Sequence, residues 1–261
     1  MMPRSIMITG ASRGLGASLA RAYAAEGIRL ILTARRIEAL TETCRQCEAA
    51  GAQVVPLALD LGMDESIDAI LAHLVGSDLP DLLIANAGVF SGRRANGQLE
   101  ASSEQARQLR INLTGTIGFL DTIAQRMKER RSGHLALISS LAAIQPQPDS
   151  PAYAASKAGL ALWGRSIGED LSLHGVAVSI IYPGHIESDQ TAIHVGQLPG
   201  LLPADKAAAI IHKGIGKRRE RIIFPRHLYW LILVSNLLPG RLRRWVNRPF
   251  RYHVTHEETP R

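Results

Sequence analysis

Tyr153, Ala154, Ala155, Ser156 and Lys157 form a Y-x-x-x-K run, and Ser140 precedes the tyrosine by thirteen residues. Residues four apart on a helix share a face, so the Tyr153 phenol and the Lys157 ammonium point into one space. A phenol near its ordinary pKa of ~10 is a poor base at neutral pH, and a nearby cation stabilises its phenolate. A hydroxyl such as that of Ser140 would hold a carbonyl oxygen beside the phenol. Together they would exchange a proton with an alcohol while a hydride moves on the carbon. Taken alone, Y-x-x-x-K is an ordinary solvated helix face, so its meaning rests on the elements that position it.

At 261 residues and 46% hydrophobic content the chain can bury a substantial core as one large domain. Apolar runs alternate with helical patterns from end to end, without a long linker or a repeat, which predicts a single α/β unit. A first strand beginning by Ser5 leaves no room for a secretory signal or an N-terminal anchor, so a cytoplasmic location is expected. Cys44 and Cys47 are the only cysteines. With no second ligand pair they read as reduced thiols, and no metal site is expected. The net charge of +7 is uneven: residues 217–251 hold ten Lys/Arg against one acid, Glu220, so the remainder is net negative.

Ser5–Thr9 reads as a buried strand running into Thr9-Gly10-Ala11-Ser12-Arg13-Gly14-Leu15-Gly16 and a helix to about Glu26. A glycine-rich turn between strand and helix lets backbone N–H groups approach a pyrophosphate, although plain turns also use glycine. Arg29–Ala34 reads as the second strand. An acid at its end would bind a ribose diol, but the sequence there is Ala34-Arg35-Arg36. Arg13 and Arg35 suit a 2′-phosphate instead, which favours NADP(H) while leaving NAD(H) open. The third strand, Val54–Leu59, ends at Asp60-Leu61; the Asp60 carboxylate would accept from an adenine amine or cap a helix starting near Asp64. Leu82–Ala85 leads into Asn86-Ala87-Gly88, small residues with room for a ribose, and Asn86 can brace the strands. A single helix over about 102–127 carries Asn112 in its interior, a poor helix position that points to another task, such as holding a water near Lys157. Gly133–Ser139 delivers Ser140, the helix of Tyr153 runs to about His174, and Val176–Tyr182 ends in Pro183-Gly184. An irregular stretch over 185–203 reads as a lid. A helix near Ala204–Ile215 and a strand at Ile222–Phe224 complete the sheet.

In order and spacing, TGASRGLG at 9–16, Asp60, NAG at 86–88, Asn112, Ser140, Tyr153-x-x-x-Lys157 and Pro183-Gly184 resemble the short-chain dehydrogenase/reductase family over residues 4–225. The resemblance implies a Rossmann-type, doubly wound, three-layer α/β fold with a seven-stranded parallel sheet. It also implies Tyr153 as general acid/base, Ser140 as carbonyl-positioning donor, Lys157 as phenolate stabiliser and ribose ligand, and Asn112 as brace of a proton relay. Cofactor contacts would come from Gly10, Ser12, Arg13, Gly14, Leu15, Gly16, Arg35, Asp60, Leu61, Asn86, Ala87, Gly88, Tyr153, Lys157, Pro183, Gly184, Ile186 and Ser188. Ser188 stands where the family often has a threonine and keeps the hydroxyl for a nicotinamide carboxamide. Homodimers or homotetramers pairing the helices at 102–127 and 153–174 are implied too.

The core motifs leave 226–261 as a C-terminal apolar and basic extension of the unit at 1–225. His227–Leu238 is almost wholly apolar, and Arg241, Arg243, Arg244 and Arg248 follow with Trp245. Twelve residues fall short of the ~20 that a membrane span needs. Such a segment suits an anionic membrane surface, a lid or a subunit contact. It is similar to tails of family members acting on lipids and steroids. The leading expectation is an NADP(H)-dependent interconversion of a lipophilic ketone and a secondary alcohol. The alternatives are the same chemistry on a sugar or polysaccharide precursor, or a non-catalytic NADP(H)-binding regulator. Nucleic-acid binding is not expected, because the apolar run needs burial first.

Overall fold

The computed structural model describes residues 3–192, 194–195, 198, 200–247 and 252–254. Chain order is β1 (Ser5–Thr9), α1 (Gly14–Tyr23), β2 (Arg29–Ala34), α2 (Thr41–Ala49), β3 (Gln53–Ala58), α3 (Asp64–His73), β4 (Leu82–Ala85), α4 (Ser102–Leu109), α5 (Thr116–Arg130), β5 (Gly133–Ile138) and α6 (Pro151–Ser172). It continues through β6 (Val176–Pro183), α7 (Asp189–Ala192), β7 (His194–Val195), α8 (Ala204–Gly216), β8 (Arg221–Phe224), α9 (Arg226–Leu237), α10 (Gly240–Asn247) and β9 (His253–Val254).

Seven strands form one parallel sheet in the order β3-β2-β1-β4-β5-β6-β8. The central strands are continuous apolar runs because both faces are covered: every residue of β4 and β5 is buried. One face packs Met7, Leu83, Leu135 and Leu137 against Phe119, Leu120, Ile123 and Leu160 of α5 and α6. The other packs Ile6, Ile8, Leu30 and Leu32 against Leu19 of α1 and Ile211 of α8. Helices on both sides of a seven-stranded parallel sheet are the expected doubly wound fold. The strand order reverses between β1 and β4, so the crevice for a ligand opens at their C-terminal ends. The motif residues lie along that edge.

Two expected elements differ in detail. The helix over 102–127 is three pieces: α4, a single π-helical turn at Arg110–Gly115, and α5. At Gly115 this turn passes close to the loop after β3, where a Cβ would run into the Leu61 carbonyl oxygen. The stretch 185–203 contains α7 and β7, and β7 pairs antiparallel with β9 from the far end of the chain.

The apolar run of the extension is α9. Leu228, Tyr229 and Ile232 pack against the sheet-side core, while Trp230, Leu231, Val234 and Leu237 face outward, Leu237 at 86% exposure. Among the described residues no helix is long and apolar enough to cross a membrane. Arg248 and the final segment 255–261 lie outside the described residues.

His134 in β5 gives a pH test of this packing. Its Nε2 lies 2.8 Å from Ser179 Oγ, and that hydroxyl donates to the Arg219 carbonyl at 2.6 Å, so the neutral imidazole supplies the other proton. Burial, with Arg218 adding repulsion, holds its pKa down to about 4 from 6.5. The unfolded chain therefore binds a proton that the folded chain refuses across that window. Stability should fall by on the order of 3 kcal/mol as pH drops through it. Denaturant midpoints taken across the window should show this slope and a shallower one in His134→Gln; equal slopes would refute it.

Candidate active site

The site begins where β5 ends. Lys157 is 5% exposed, and its Nζ donates to the Ile138 carbonyl at 2.9 Å, tying α6 to the last residue of β5. Burial pulls the ammonium pKa down to about 8. Ser139 repeats the tie in reverse, its hydroxyl donating to the Lys157 carbonyl at 2.9 Å. Ser140 then leaves the strand in extended conformation and starts a 3-10 turn at Leu141–Ala143, where its Oγ accepts from Ala142 N at 3.1 Å.

Pro151 opens α6 at a position where its missing N–H costs nothing. Two residues later Tyr153 reaches the same space: the Ser140 hydroxyl stands by its phenol, and Lys157 Nζ is 5.8 Å from its ring centroid. Burial raises the phenol pKa, and the Ser140 hydroxyl opposes the rise. The three groups separated along the chain therefore share one pocket. A serine donor, a phenol and a buried ammonium are what proton exchange with a carbonyl or alcohol oxygen requires.

Asn112 sits in the π-helical turn and is 1% exposed. Its Oδ1 accepts from Val89 N at 2.8 Å and its Nδ2 donates to Val89 O at 2.7 Å, with Ser156 Oγ 3.4 Å away. The side chain is thus a two-point clamp on the segment after Gly88. A Cβ at Gly88 would stand 3.2 Å from Asn112 Oδ1 and 3.4 Å from Lys157 Nζ, so a side chain there would make these two groups give way slightly.

The glycine turn occupies the other side of the crevice. Gly10 has φ +67°, and a Cβ on it would come within 2.9 Å of Ala87 Cα. Gly16 is tighter still, against the Gly10 carbonyl and Asn86 Nδ2. Asn86 is the brace the sequence suggests: its Nδ2 donates to Thr9 O and Gly10 O at 3.0 and 3.1 Å. Thr9 Oγ1 accepts from both Asn86 N and Ala87 N, locking β1 to β4. Ala11 N donates to Thr33 O at 2.9 Å, which ties the turn to the end of β2 and brings exposed Arg35 alongside it. Arg13, also exposed, is the N-cap of α1, and no side chain caps that helix.

The family match decides the identity. The model of the short chain dehydrogenase family matches residues 4–195. The chain belongs to the short-chain dehydrogenase/reductase family. An uncharacterised oxidoreductase of Myxococcus xanthus is 34% identical over 93% of this chain and 95% of its own. A fatty acyl-CoA reductase of Acinetobacter baylyi is 29% identical, covering 83% of this chain and 74% of its own. A metagenomic short-chain oxidoreductase solved in complex with NADP is 33% identical, with a TM-score of 0.67 over 80% of this chain and 89% of its own. This short-chain dehydrogenase/reductase is an oxidoreductase acting on CH–OH groups.

Ser188 approaches the glycine turn, its Cβ 3.5 Å from the Cβ that Gly14 lacks. Its backbone N–H donates to Thr191 Oγ1 at 2.9 Å, and Thr191 in turn donates to Ile186 O, a loop clamp that no sequence motif marks. Asp60 does not cap α3, whose N-cap is Met63; its Oδ1 accepts instead from Gly62 N at 2.8 Å. Leu61 and Ile186 are buried, at 4% and 8% exposure, and Leu15 packs partly against the core, so these three offer a ligand chiefly their backbone. Gly184 lies against Pro225, where a Cβ would meet the ring at 2.9 Å, and follows Pro183 at the end of β6. Ser12 is half-buried within the glycine turn.

Sequence reasoning missed a row of rings beside Tyr153. Phe90 meets it edge-on at 5.1 Å, His194 lies 4.7 Å from Phe90, and Tyr252 stacks on His194 at 4.7 Å and 9°. These residues are distant in sequence, and none belongs to a local pattern.

Proposed function

We propose that this chain is an NADP(H)-dependent enzyme interconverting a lipophilic ketone and a secondary alcohol. In this reading Tyr153 is the general acid and base, Ser140 holds the substrate oxygen, Lys157 favours the phenolate, and Asn112 braces the segment beside them. The observation that carries it is the meeting of the Ser140 hydroxyl and the Tyr153 phenol next to the buried Lys157 ammonium. In reduction the phenol gives its proton to the developing alkoxide while Ser140 donates to the same oxygen; in oxidation both steps reverse.

The residues present fit a dinucleotide. Gly10 and Gly16 let the turn after β1 close tightly on Ala87 and Asn86, where a Cβ would clash, and the start of α1, whose N-cap Arg13 makes no side-chain cap, suits a pyrophosphate. Bound NADP(H) would supply or accept the hydride. With no acid after β2, Arg13 and Arg35 would meet a 2′-phosphate, and the backbone at Asp60, Leu61 and Ala87 would lie along the adenosine side. Pro183, Gly184, Ile186 and Ser188 would flank the nicotinamide. The NADP complex of the 33%-identical relative supports the same preference.

One pair of variants separates chemistry from binding. Tyr153→Phe should keep NADPH affinity and lose at least ~10²-fold in turnover. Arg35→Ala should weaken NADPH by about 1.5–3 kcal/mol while leaving NADH unchanged. Fluorescence titration and ketone-dependent NADPH consumption read both; an active Tyr153→Phe enzyme, or equal NADH and NADPH affinity in the wild type, would refute the assignments.

A lipophilic substrate is supported by the fatty acyl-CoA reductase among the relatives and by the surface of α9 and α10. Trp230, Leu231, Val234 and Trp245 are more than half exposed, beside Arg241 and Arg244. In this reading that surface rests on an anionic membrane while the enzyme itself stays on the cytoplasmic side. Apolar burial and about 1 kcal/mol for each arginine act together there. The full chain should sediment with anionic vesicles at low salt and be weakened, not released, by raised ionic strength. An Arg241/Arg243/Arg244→Glu variant should bind less; failure of the wild type to sediment would remove the membrane from the account.

The outer face of α6 supports a homo-oligomer, a dimer or tetramer, since Leu162 is 62% exposed there. Light scattering at micromolar concentration should give a multiple of the 28.3 kDa chain mass, and a monomer mass would contradict it.

A further inference from the structure

Tyr252 lies far beyond the 4–195 stretch that the family match covers, yet it ends the row of rings that starts at Tyr153. Its hold on the site is specific. The Tyr252 phenol oxygen is 2.6 Å from Ser150 Oγ, and its N–H donates to Asp149 Oδ2 at 3.2 Å. Ser150 is the N-cap of α6 but does not cap it. A capping hydroxyl ordinarily serves its own helix, so its use on a distant residue marks Tyr252 as part of the site's construction.

Asp149 is held in turn. It is 1% exposed, and Arg93 Nε donates to its Oδ1 at 2.7 Å. Val254 N donates to Arg93 O at 2.8 Å, and His253–Val254 pairs with His194–Val195. Two backbone pairings, a buried ion pair and a hydroxyl pair therefore fix the Tyr252 ring against His194. The row of rings that these anchors hold reaches Tyr153 through Phe90, which meets the Tyr153 ring edge-on at 5.1 Å.

We propose that Tyr252, stacked on His194 and continued by Phe90, is a specificity-determining residue that walls the substrate pocket and selects ketones carrying a flat apolar group. Stacked and edge-on rings offer planar faces to a planar ligand, where aromatic contact adds to area burial. A straight chain gains the burial alone, and a small ketone reaches Tyr153 without touching the wall. The inference rests on Tyr153 being the acid of the reaction.

The test compares kcat/KM for acetophenone, 2-octanone and acetone in the wild type and in Tyr252→Ala, Tyr252→Leu and Tyr252→Phe. Tyr252→Ala should lose at least about tenfold on acetophenone, mostly through KM, and less than about twofold on acetone. Tyr252→Leu, which keeps most of the volume, should behave like Tyr252→Ala if that variant is too unstable to assay. Tyr252→Phe keeps the ring and should keep the wild-type preference. NADPH affinity should not move in any of them. An equal loss on all three ketones would mean that Tyr252 only supports the fold, and unchanged ratios would remove it from substrate selection; either result overturns the proposal. Tyr153→Phe, run alongside, isolates the underlying reading. If it stays active, or if the wild type reduces none of the ketones, that reading fails; if it is dead and the Tyr252 ratios are flat, the inference alone fails.

Discussion

Lys157 carries its ammonium into a place where almost none of the residue meets water, and the surroundings must compensate it there. An unpaired buried charge costs several kcal/mol or gives up its proton. This one meets only part of that cost, through the Ile138 carbonyl, and the remainder shows as a pKa lowered to about 8. Much of the local structure follows from the arrangement. The end of β5 must stay open to offer its carbonyl, α6 must start far enough away for Tyr153 to share the space, and the space beside Gly88 is tight. The Ser139 hydroxyl, bonded to the Lys157 carbonyl, holds helix and strand in that relation.

The same edge explains how distant parts of the chain come to bear on a few atoms. Asn112 clamps Val89, so the segment after β4 cannot drift from the lysine. The 3-10 turn after Ser140 lies under α9, whose Asn236 donates to the Ile144 carbonyl at 2.7 Å. One face of α9 thus packs beside the serine loop while the other carries the exposed tryptophan and leucines. Whatever covers that outer face sits one helix thickness from the site. The segment is neither a free arm nor a fully buried lid.

Much of the sheet was legible in the sequence because its strands are buried on both sides. Ser5–Thr9, Arg29–Ala34 and Leu82–Ala85 are short apolar runs bounded by turn residues, and such runs have few alternatives. The Tyr153–Lys157 spacing and the glycine turn were legible too, since each depends on neighbours in sequence. What stayed hidden depends on partners far away. The π-helical turn around Asn112 sits where Gly115 comes close to Leu61, a contact that no periodicity records. Asp60 looks like a cap or an adenine ligand from its position alone, yet one oxygen is taken by Gly62 two residues on. The link between Ser150 and Tyr252 spans 102 residues, and neither has a local signature.

We propose that Lys157 sets the protonation of Tyr153. The direct measurement is the pH dependence of kcat for alcohol oxidation in the wild type and in Lys157→Met, each with saturating cofactor. The oxidation direction needs the phenolate, so removing the buried cation should move the rising limb of the profile to higher pH by at least about one pH unit. Residual turnover in the variant should recover as pH is raised. A Lys157→Met enzyme whose profile overlays the wild type would show that the ammonium does not control the phenol, and the account of this site would fall with it.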